Sequence, residues 1–203
     1  MSSDYCSAGK LDKNADILEC KRDDCGNWAW EPVRSIWTSV EIQSRTNIFS
    51  KIGIGARDAL IVTWRQEISL SNALRLNGQF LFLTSITERG RNQIELKAAV
   101  CDPVTLTAKP QDRTGRDYMN RPTVIKQASF TFPGILTELY RRNEPDEIYR
   151  NTTLQRALVT PKPILLRPGD LVQAGEEAPY TVRQVHDLDP WKNEYVIERQ
   201  EDI

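Results

Sequence analysis

Five short apolar segments recur in the same order in the two halves of the chain, and this repetition constrains the fold more than any other feature. In the first half the segments are residues 35–39, 57–62, 74–78, 81–86 and 94–96. In the second half they are residues 134–138, 156–159, 171–175, 180–185 and 195–197, at an offset that drifts between 97 and 101 residues. Each match alone is weak, but the shared order indicates an internal duplication.

The spacing of apolar residues inside these segments is typical of β-strands. Leu60, Val62 and Trp64 occupy every second position, which predicts that they form the buried face of one strand. Turns are predicted at 77–78 and 174–175, because each pair contains a glycine, which tolerates a positive φ angle. The sequence therefore predicts a mainly β fold, with two tandem small β-barrel domains.

Each predicted domain also carries one candidate for a short helix. Ser44 is expected to cap a helix over 45–52, since its hydroxyl can accept a hydrogen bond from a free backbone amide. Asn143 is expected to cap the second helix, whose first turn holds acidic residues that suit the helix dipole, Glu144, Asp146 and Glu147.

The charge distribution predicts three regions. Lys and Arg number 13 against 13 Asp and Glu in residues 1–105, which we assign to the first barrel. They number 5 against 2 in residues 106–128, interpreted as a basic linker or extended loop. In residues 129–203, assigned to the second barrel, they number 9 against 13. This asymmetry indicates different neighbours for the different regions.

The composition of the whole chain argues against several classes of protein. A net charge of −1 gives no global attraction to DNA or to an anionic membrane. No stretch approaches 18 consecutive apolar residues, so no membrane-spanning segment is predicted. The polar opening of the chain does not resemble a signal peptide, and four cysteines are too few and too unevenly placed for a secreted disulfide scaffold. We therefore expect synthesis in the cytoplasm.

An ordered set of motifs over about residues 9–102 resembles the phage head–tail joining family, the head closure and adaptor proteins of the neck. The most characteristic is Ile36-Trp37-Thr38-Ser39-Val40-Glu41, which lies in a predicted strand. The other matching segments are 9–11, 23–26, 48–49, 61–65, 68–78, 81–86 and 89–91. Family members usually have a single domain of roughly half this length, so the second domain is a departure from the pattern.

The resemblance implies a structural, non-enzymatic protein that needs no cofactor or metal. Such proteins form a ring, commonly of six or twelve subunits, between the portal or adaptor and the tail, and packaged double-stranded DNA passes through the lumen. The implied location is the neck of the virion, after assembly in the host cytoplasm. A tail terminator or other tail-side structural protein is an alternative, and so is a nucleic-acid-binding β-barrel module.

The resemblance also implies that the segment between the second and third strands faces the lumen. The candidate residues in the first domain are Arg45, Lys51, Gly53, Gly55 and Arg57, and those in the second domain are Arg141, Arg142, Arg150 and Arg156. The mild positive charge of the first-domain segment suits a channel in which DNA must slide, because many strong phosphate contacts would hold it in place. An ordinary solvated loop is the alternative interpretation.

Other chemical motifs are weak. Cys20 and Cys25 bracket a predicted turn, and we expect a cross-strand pair, free thiols or a bond between subunits rather than a zinc site, which normally has four ligands. His186 is the single histidine, and the residues that follow it suit a β-turn better than catalysis or calcium binding. The tryptophans are expected in the core or in subunit contacts rather than in base stacking, namely Trp28, Trp30, Trp37 and Trp64.

Overall fold

A computed structural model describes residues 10–46, 57–116, 118–138 and 153–200. Apart from Lys10, which has a 3₁₀ conformation, the regular secondary structure in these residues consists of β-strands, and the chain divides into two compact units. The first unit contains residues 1–21 and 29–103, and the second contains residues 22–28 and 104–203.

Six strands close into a barrel in the first unit. In chain order they are β1 Lys13–Arg22, β2 Trp28–Thr46, β3 Arg57–Trp64, β4 Ala73–Leu76, β5 Gln79–Arg89 and β6 Gln93–Cys101. Around the barrel the order is β1-β2-β3-β6-β5-β4. The pairs β1–β4, β2–β3, β3–β6, β4–β5 and β5–β6 are antiparallel. The predicted turn between β4 and β5 is confirmed, with positive φ angles of 49° at Asn77 and 81° at Gly78.

The second unit contains another closed barrel of six strands and a separate two-stranded sheet. The barrel strands are β7 Val104–Lys109, β10 Phe130–Glu138, β11 Thr153–Pro161, β12 Leu171–Ala174, β13 Tyr180–Asp189 and β14 Lys192–Gln200. The separate sheet is a hairpin of β8 Arg113–Arg116 and β9 Pro122–Ile125. The predicted mainly β fold with barrel domains is therefore observed.

The two barrels have the same cyclic strand order and the same pairing registers. Around the second barrel the order is β7-β10-β11-β14-β13-β12, which matches the order β1-β2-β3-β6-β5-β4 of the first barrel strand for strand. Each paired position in one barrel therefore has an equivalent in the other. For example, Ile61 pairs with Leu96 in the first barrel, and Leu158 pairs with Tyr195 in the second. A β-bulge also recurs, between Leu83 and Ser85 of β5 and at the equivalent place between Val182 and Gln184 of β13.

The hydrophobic core of the first unit lies inside its barrel. Side chains from all six strands form one buried cluster, because alternate residues of each strand point inwards. The cluster consists of Ala15, Ile17, Ile36, Val40, Ala59, Ile61, Leu74, Leu76, Leu81, Leu83, Ile94, Leu96 and Ala98.

The prediction of which face of β3 is buried was wrong by one residue. Ile61 belongs to the core and is fully buried, so its neighbours Leu60 and Val62 face the outside of the barrel. Val62 is nevertheless buried, because Leu11 packs against it on the outer surface. Since apolar residues occupy both faces of this strand, periodicity alone did not identify the inner one.

The two predicted helices are not confirmed. The described residues contain no α-helix, and Arg45 and Thr46 instead extend β2, where Thr46 pairs with Arg57 beyond a register shift. The rest of the first predicted helix and the whole of the second, after Asn143, lie outside the described residues.

The boundary between the domains also differs from the prediction. The units meet between Pro103 and Val104, and β7 supplies the first strand of the second barrel by pairing with β10 and β12. Leu106 and Ala108 of β7 are buried, at 1% and 0% exposure, so the start of the predicted linker is core. Most of its remainder forms the β8–β9 hairpin rather than an extended loop.

Candidate functional site

The segments predicted to face a lumen connect equivalent strands of the two barrels, β2 to β3 and β10 to β11. Arg45 lies near the end of β2, and Arg57 is the first residue of β3 and is exposed. The other candidates of both loops, apart from Arg156, lie outside the described residues: Lys51, Gly53, Gly55, Arg141, Arg142 and Arg150.

Arg156 belongs to β11 rather than to the loop before it. Its guanidinium carbon lies 5.6 Å from the centre of the Tyr180 ring, and that of Arg199 lies 5.0 Å from the same centre. Arg199 also forms a 3.1 Å ion pair with Glu177. The register makes Arg156 equivalent to the buried Ala59 of the first barrel. Arg156 therefore contributes a cation–π contact within the second barrel.

An exposed pair of tryptophans marks the outer wall of the first barrel. Trp37 is 59% exposed and Trp64 is 36% exposed. Trp37 precedes Thr38 and Trp64 follows Thr63, and these two threonines pair across the antiparallel strands β2 and β3, so the two indoles are neighbours on one face. The Thr63 hydroxyl donates a 2.9 Å hydrogen bond to the Trp37 carbonyl and fixes the strands at this point.

The second barrel carries no aromatic residue at the corresponding place. Its equivalents of Trp37 and Trp64 are Pro133 and Pro161, as the registers of β10 and β11 show. An exposed aromatic pair is a common element of protein contacts because it buries a large area with few rotatable bonds. The first barrel is thus the one equipped for an aromatic contact on this wall.

The other two predicted tryptophans make contacts inside their own units. The ring of Trp30 meets Phe80 edge to face, with centroids 5.4 Å apart, and meets Phe82 in the same way at 6.2 Å. Trp28 lies beneath the guanidinium group of Arg22, 6.0 Å from its ring centre. These two tryptophans therefore have structural partners within their own units.

The three cysteines in the described part of the chain do not form a metal-binding centre or a disulfide bond. Cys20, Cys25 and Cys101 are free thiols, so the cross-strand pair between Cys20 and Cys25 is not formed. Burial raises the pKa of Cys20 and of Cys101 to about 12, which keeps both protonated near neutral pH. Within the described ranges, no three His, Cys, Asp or Glu side chains are grouped closely enough to hold a metal ion.

The segment around His186 forms the end of a hairpin, as predicted. Asp189 ends β13, and its carboxylate accepts a 2.7 Å hydrogen bond from the backbone amide of Trp191 in the turn. His186 is exposed, and its Nε2 lies 3.4 Å from the side-chain oxygen of Gln184. The Asp189 carboxylate therefore stabilises the turn that joins β13 to β14.

Two open clefts lie on the first unit. The larger has a volume of about 500 Å³ and is lined by Arg34, Glu67 and Asn72 among others. Arg34 donates a hydrogen bond to the Glu67 carbonyl, and Asn72 donates one to the Leu18 carbonyl, so these polar groups bind the protein's own backbone. The smaller cleft, of about 360 Å³, lies beside Trp30.

No protein-family model, no curated protein and no solved structure matches this chain. In the part of the chain that the structure describes, no helix has the length and apolar character needed to cross a bilayer. The likeness to head–tail joining proteins therefore depends on the ordered sequence motifs alone, and the surfaces described above are the features from which a function can be argued.

Proposed function

We propose that this protein is a structural subunit of the neck of a tailed bacteriophage, of the head–tail connector or head closure type. In this proposal copies of the chain form a ring that joins the portal or adaptor to the tail and helps to retain the packaged DNA. Its binding energy comes from contacts between subunits and between rings rather than from a chemical reaction.

The observation that carries the proposal is the coincidence of the resemblance with one complete barrel. The matching motifs extend over about residues 9–102, and the six strands of the first barrel extend over 13–101. The segment Ile36–Glu41 that most resembles the family lies in β2. A set of motifs that begins and ends with a closed domain is more informative than the same motifs scattered over several domains.

Two further features suit a ring subunit. Trp37 and Trp64 offer an aromatic contact on the outer wall of the first barrel, where neighbouring subunits would meet. The repeated barrel doubles the surface that each subunit can present, and it carries a second segment at the place where the family has its lumen loop. A closed barrel suits a mechanical role because it leaves few unpaired strand edges.

Electron microscopy of the purified full chain, together with its mass in solution, tests the proposal. We expect closed rings with a central hole, formed alone or on addition of portal protein, with six or twelve subunits. A strict monomer that binds neither portal nor tail proteins contradicts the proposal. Rings that bind only tail proteins would move the assignment to a tail terminator.

A nucleic-acid-binding module is the second candidate, because Trp37 and Trp64 expose aromatic faces on which bases can stack. Against it, the adjacent Arg65 forms a 2.6 Å ion pair with Glu88, whose carboxylate would compete with phosphate for the guanidinium group. Titration of single-stranded DNA with tryptophan fluorescence at several salt concentrations separates the two functions. Strong quenching that weakens steeply with salt would favour the nucleic-acid module.

A further inference from the structure

The β8–β9 hairpin is an insertion between the first and second strands of the second barrel. Its two strands pair only with each other among the described residues, from Arg113 opposite Ile125 to Arg116 opposite Pro122. In the first barrel the corresponding connection, between β1 and β2, is the short turn of residues 23–27. The hairpin is therefore an addition that the closed barrel does not need.

The hairpin exposes apolar side chains on both of its faces. Val124 is 68% exposed and Ile125 is 50% exposed, and consecutive residues of a strand point to opposite sides. Tyr118, in the connection between the strands, is 89% exposed. A two-stranded ribbon is marginally stable by itself in water, and one with apolar residues on both faces is typical of an element that packs against another surface.

A complementary open edge occurs on β13. The strand β12 pairs with β13 only at Tyr180 and Thr181, and the backbone of Val182 is bonded to the loop before β12. The next five residues, Arg183 to Asp187, are all exposed, and within the described residues no strand pairs with this edge. In the first barrel the equivalent part of β5, residues 84–88, also lies beyond the last pair with β4, Ala73 with Phe82, but residues 84–86 there are half-buried. An unpaired stretch that is exposed throughout is therefore specific to the second barrel.

The charges of the hairpin region and of the second barrel region are opposite. Residues 106–128 carry 5 basic against 2 acidic side chains, and residues 129–203 carry 9 against 13. Exposed Val185 lies on the open edge of β13 and offers an apolar contact like that of Val124. A strand of the hairpin can thus add to this edge through backbone hydrogen bonds, apolar side chains and charge.

We propose that the β8–β9 hairpin of one subunit binds the open edge of β13 of a second copy of this chain. This inference rests on the proposed ring function and names the contact that closes the ring. Because the donor and the acceptor are different surfaces of one chain, the contact is head-to-tail, and its repetition closes a ring when the rotation between neighbours divides a full turn.

Cross-linking tests which surfaces meet. In a full chain whose native cysteines are replaced by alanine, the variants Val124→Cys and Val185→Cys are combined and treated with a short bismaleimide, whose length spans neighbouring strand registers. We expect a ladder of covalent oligomers that ends at the ring size. The matched control combines Val124→Cys with Val33→Cys, since Val33 is an equally accessible valine on the first barrel, at 49% exposure, and should give no ladder.

A charge substitution tests whether the contact is needed. Val124→Asp buries an unpaired carboxylate in the proposed contact, so we expect subunit association to weaken by at least about tenfold in sedimentation velocity. Val33→Asp is the control and should associate like the unsubstituted chain. Circular dichroism of both variants verifies that the strands are retained.

The outcomes separate this inference from the proposed function. If the Val124→Asp variant forms rings as well as the unsubstituted protein and no ladder appears, the hairpin contact is wrong while the ring function stands. If the unsubstituted chain is a strict monomer that ignores portal and tail proteins, the proposed function fails and this inference fails with it. A ladder that forms equally with Val33→Cys also overturns the inference.

Discussion

Leu81 and Leu96 occupy interior positions of the first barrel that Tyr180 and Tyr195 occupy in the second. All four side chains are almost fully buried, at no more than 1% exposure. The Tyr195 hydroxyl donates a 2.8 Å hydrogen bond to the Ile164 carbonyl and accepts one of 3.2 Å from the Leu166 amide. One backbone plan therefore accommodates a wholly aliphatic layer or one with buried hydroxyl groups, provided that each hydroxyl finds a partner.

Side-chain volume is also exchanged between the barrels. The first barrel has Ala15 and Thr38 at two neighbouring interior positions, and the registers make Leu106 and Gly134 their equivalents. A Cβ atom added at Gly134 would lie 2.6 Å from Leu158 and 2.7 Å from Leu106. The small and large residues have thus changed places, which keeps the interior filled at similar density.

The loops before β4 and β12 use one backbone arrangement with different side-chain chemistry. Asn72 accepts a 2.9 Å hydrogen bond from the Ser69 amide, and Asp170 accepts one of 2.8 Å from the Arg167 amide. In both loops the later residue also donates its amide to the earlier carbonyl, at 3.0 Å. The two barrels therefore share local turn geometry as well as strand order.

The largest effect on stability is expected from variants that alter the side-chain volumes at Leu106 and Gly134. Gly134→Thr should destabilise the second barrel by about 3 kcal/mol, because the new side chain overlaps Leu106 and Leu158. Leu106→Ala alone should cost about 3 kcal/mol through the cavity that it leaves. The double variant reproduces the pair found in the first barrel and should cost less than the sum of the two.

Denaturant unfolding, with hydrogen exchange followed in β10 and β11, measures these three variants. Additive losses would show that the two positions do not compensate each other. An exchange of side-chain volume would then not explain why the two barrels differ at these positions.

Removal of the buried hydroxyl of Tyr195 should have the next largest effect. Tyr195→Phe leaves the Leu166 amide and the Ile164 carbonyl with one hydrogen bond fewer, so we expect a loss of about 2 kcal/mol. Burial raises the pKa of the Tyr195 phenol, which keeps it protonated and able to donate. Tyr180→Phe is the control with a smaller expected loss, because its hydroxyl makes one longer bond, 3.4 Å, to Glu177.

Thermal unfolding of the two phenylalanine variants provides the measurement. Equal losses in stability would mean that ring packing rather than the hydroxyl of Tyr195 stabilises the loop.

An exchange of amide and carboxylate between the loops should have a moderate effect. Asn72→Asp removes the amide that donates to the Leu18 carbonyl at 3.3 Å and places a carboxylate against it. Asp170→Asn turns one of two accepting oxygens, which bind the Gln111 and Arg167 amides, into a donor. We expect each variant to lose about 1 kcal/mol in urea unfolding. Variants as stable as the unsubstituted chain would show that the turn tolerates either side chain.

The smallest effect concerns acid sensitivity. The Ser35 hydroxyl, 2.7 Å away, and then Arg75 lower the pKa of Asp16 in the first barrel. A lowered folded-state pKa stabilises the protein above the carboxyl group's unfolded pKa, and this contribution is lost as the pH falls through the lowered value. The second barrel has no charge at the equivalent positions, Thr107, Thr131 and Gln173.

We therefore expect Asp16→Asn to remove a small part of the acid destabilisation of β1 and β4. Hydrogen exchange in these strands between about pH 5 and pH 2 measures it, with β7 and β12 as the internal reference. An equal change in both barrels would contradict a specific role of Asp16.

Much of the strand plan was predictable because it depends on local signals. Residues 81–86 and 180–185 were matched as equivalent strands, and the structure confirms this pairing of positions, including the bulge that both share. The last strands were matched two residues out of register: Ile94 corresponds to Asn193 rather than to Tyr195. The sequence pattern did not reveal that shift, because a strand displaced by two residues keeps the same face buried.

The hairpin was missed for a related reason. The charged and glycine-containing stretch around Asp112 and Gly115 is typical of a linker. The predicted linker, residues 106–128, also included most of β7. In the structure Gly115 lies beside Ile125, whose Cδ1 atom would be 2.6 Å from a Cβ atom added to the glycine. A glycine that permits close packing and a glycine that loosens a loop look identical in sequence.

The sequence by itself determined that the chain is built from strands, that the plan occurs twice, and where several turns fall, because alternation and glycine are local properties. Only the tertiary structure decided which face of β3 is inside, that β7 belongs to the second barrel, and that residues 183–187 form an open edge. These features depend on which strands become neighbours when each barrel closes, and such long-range pairing is not encoded in any single segment.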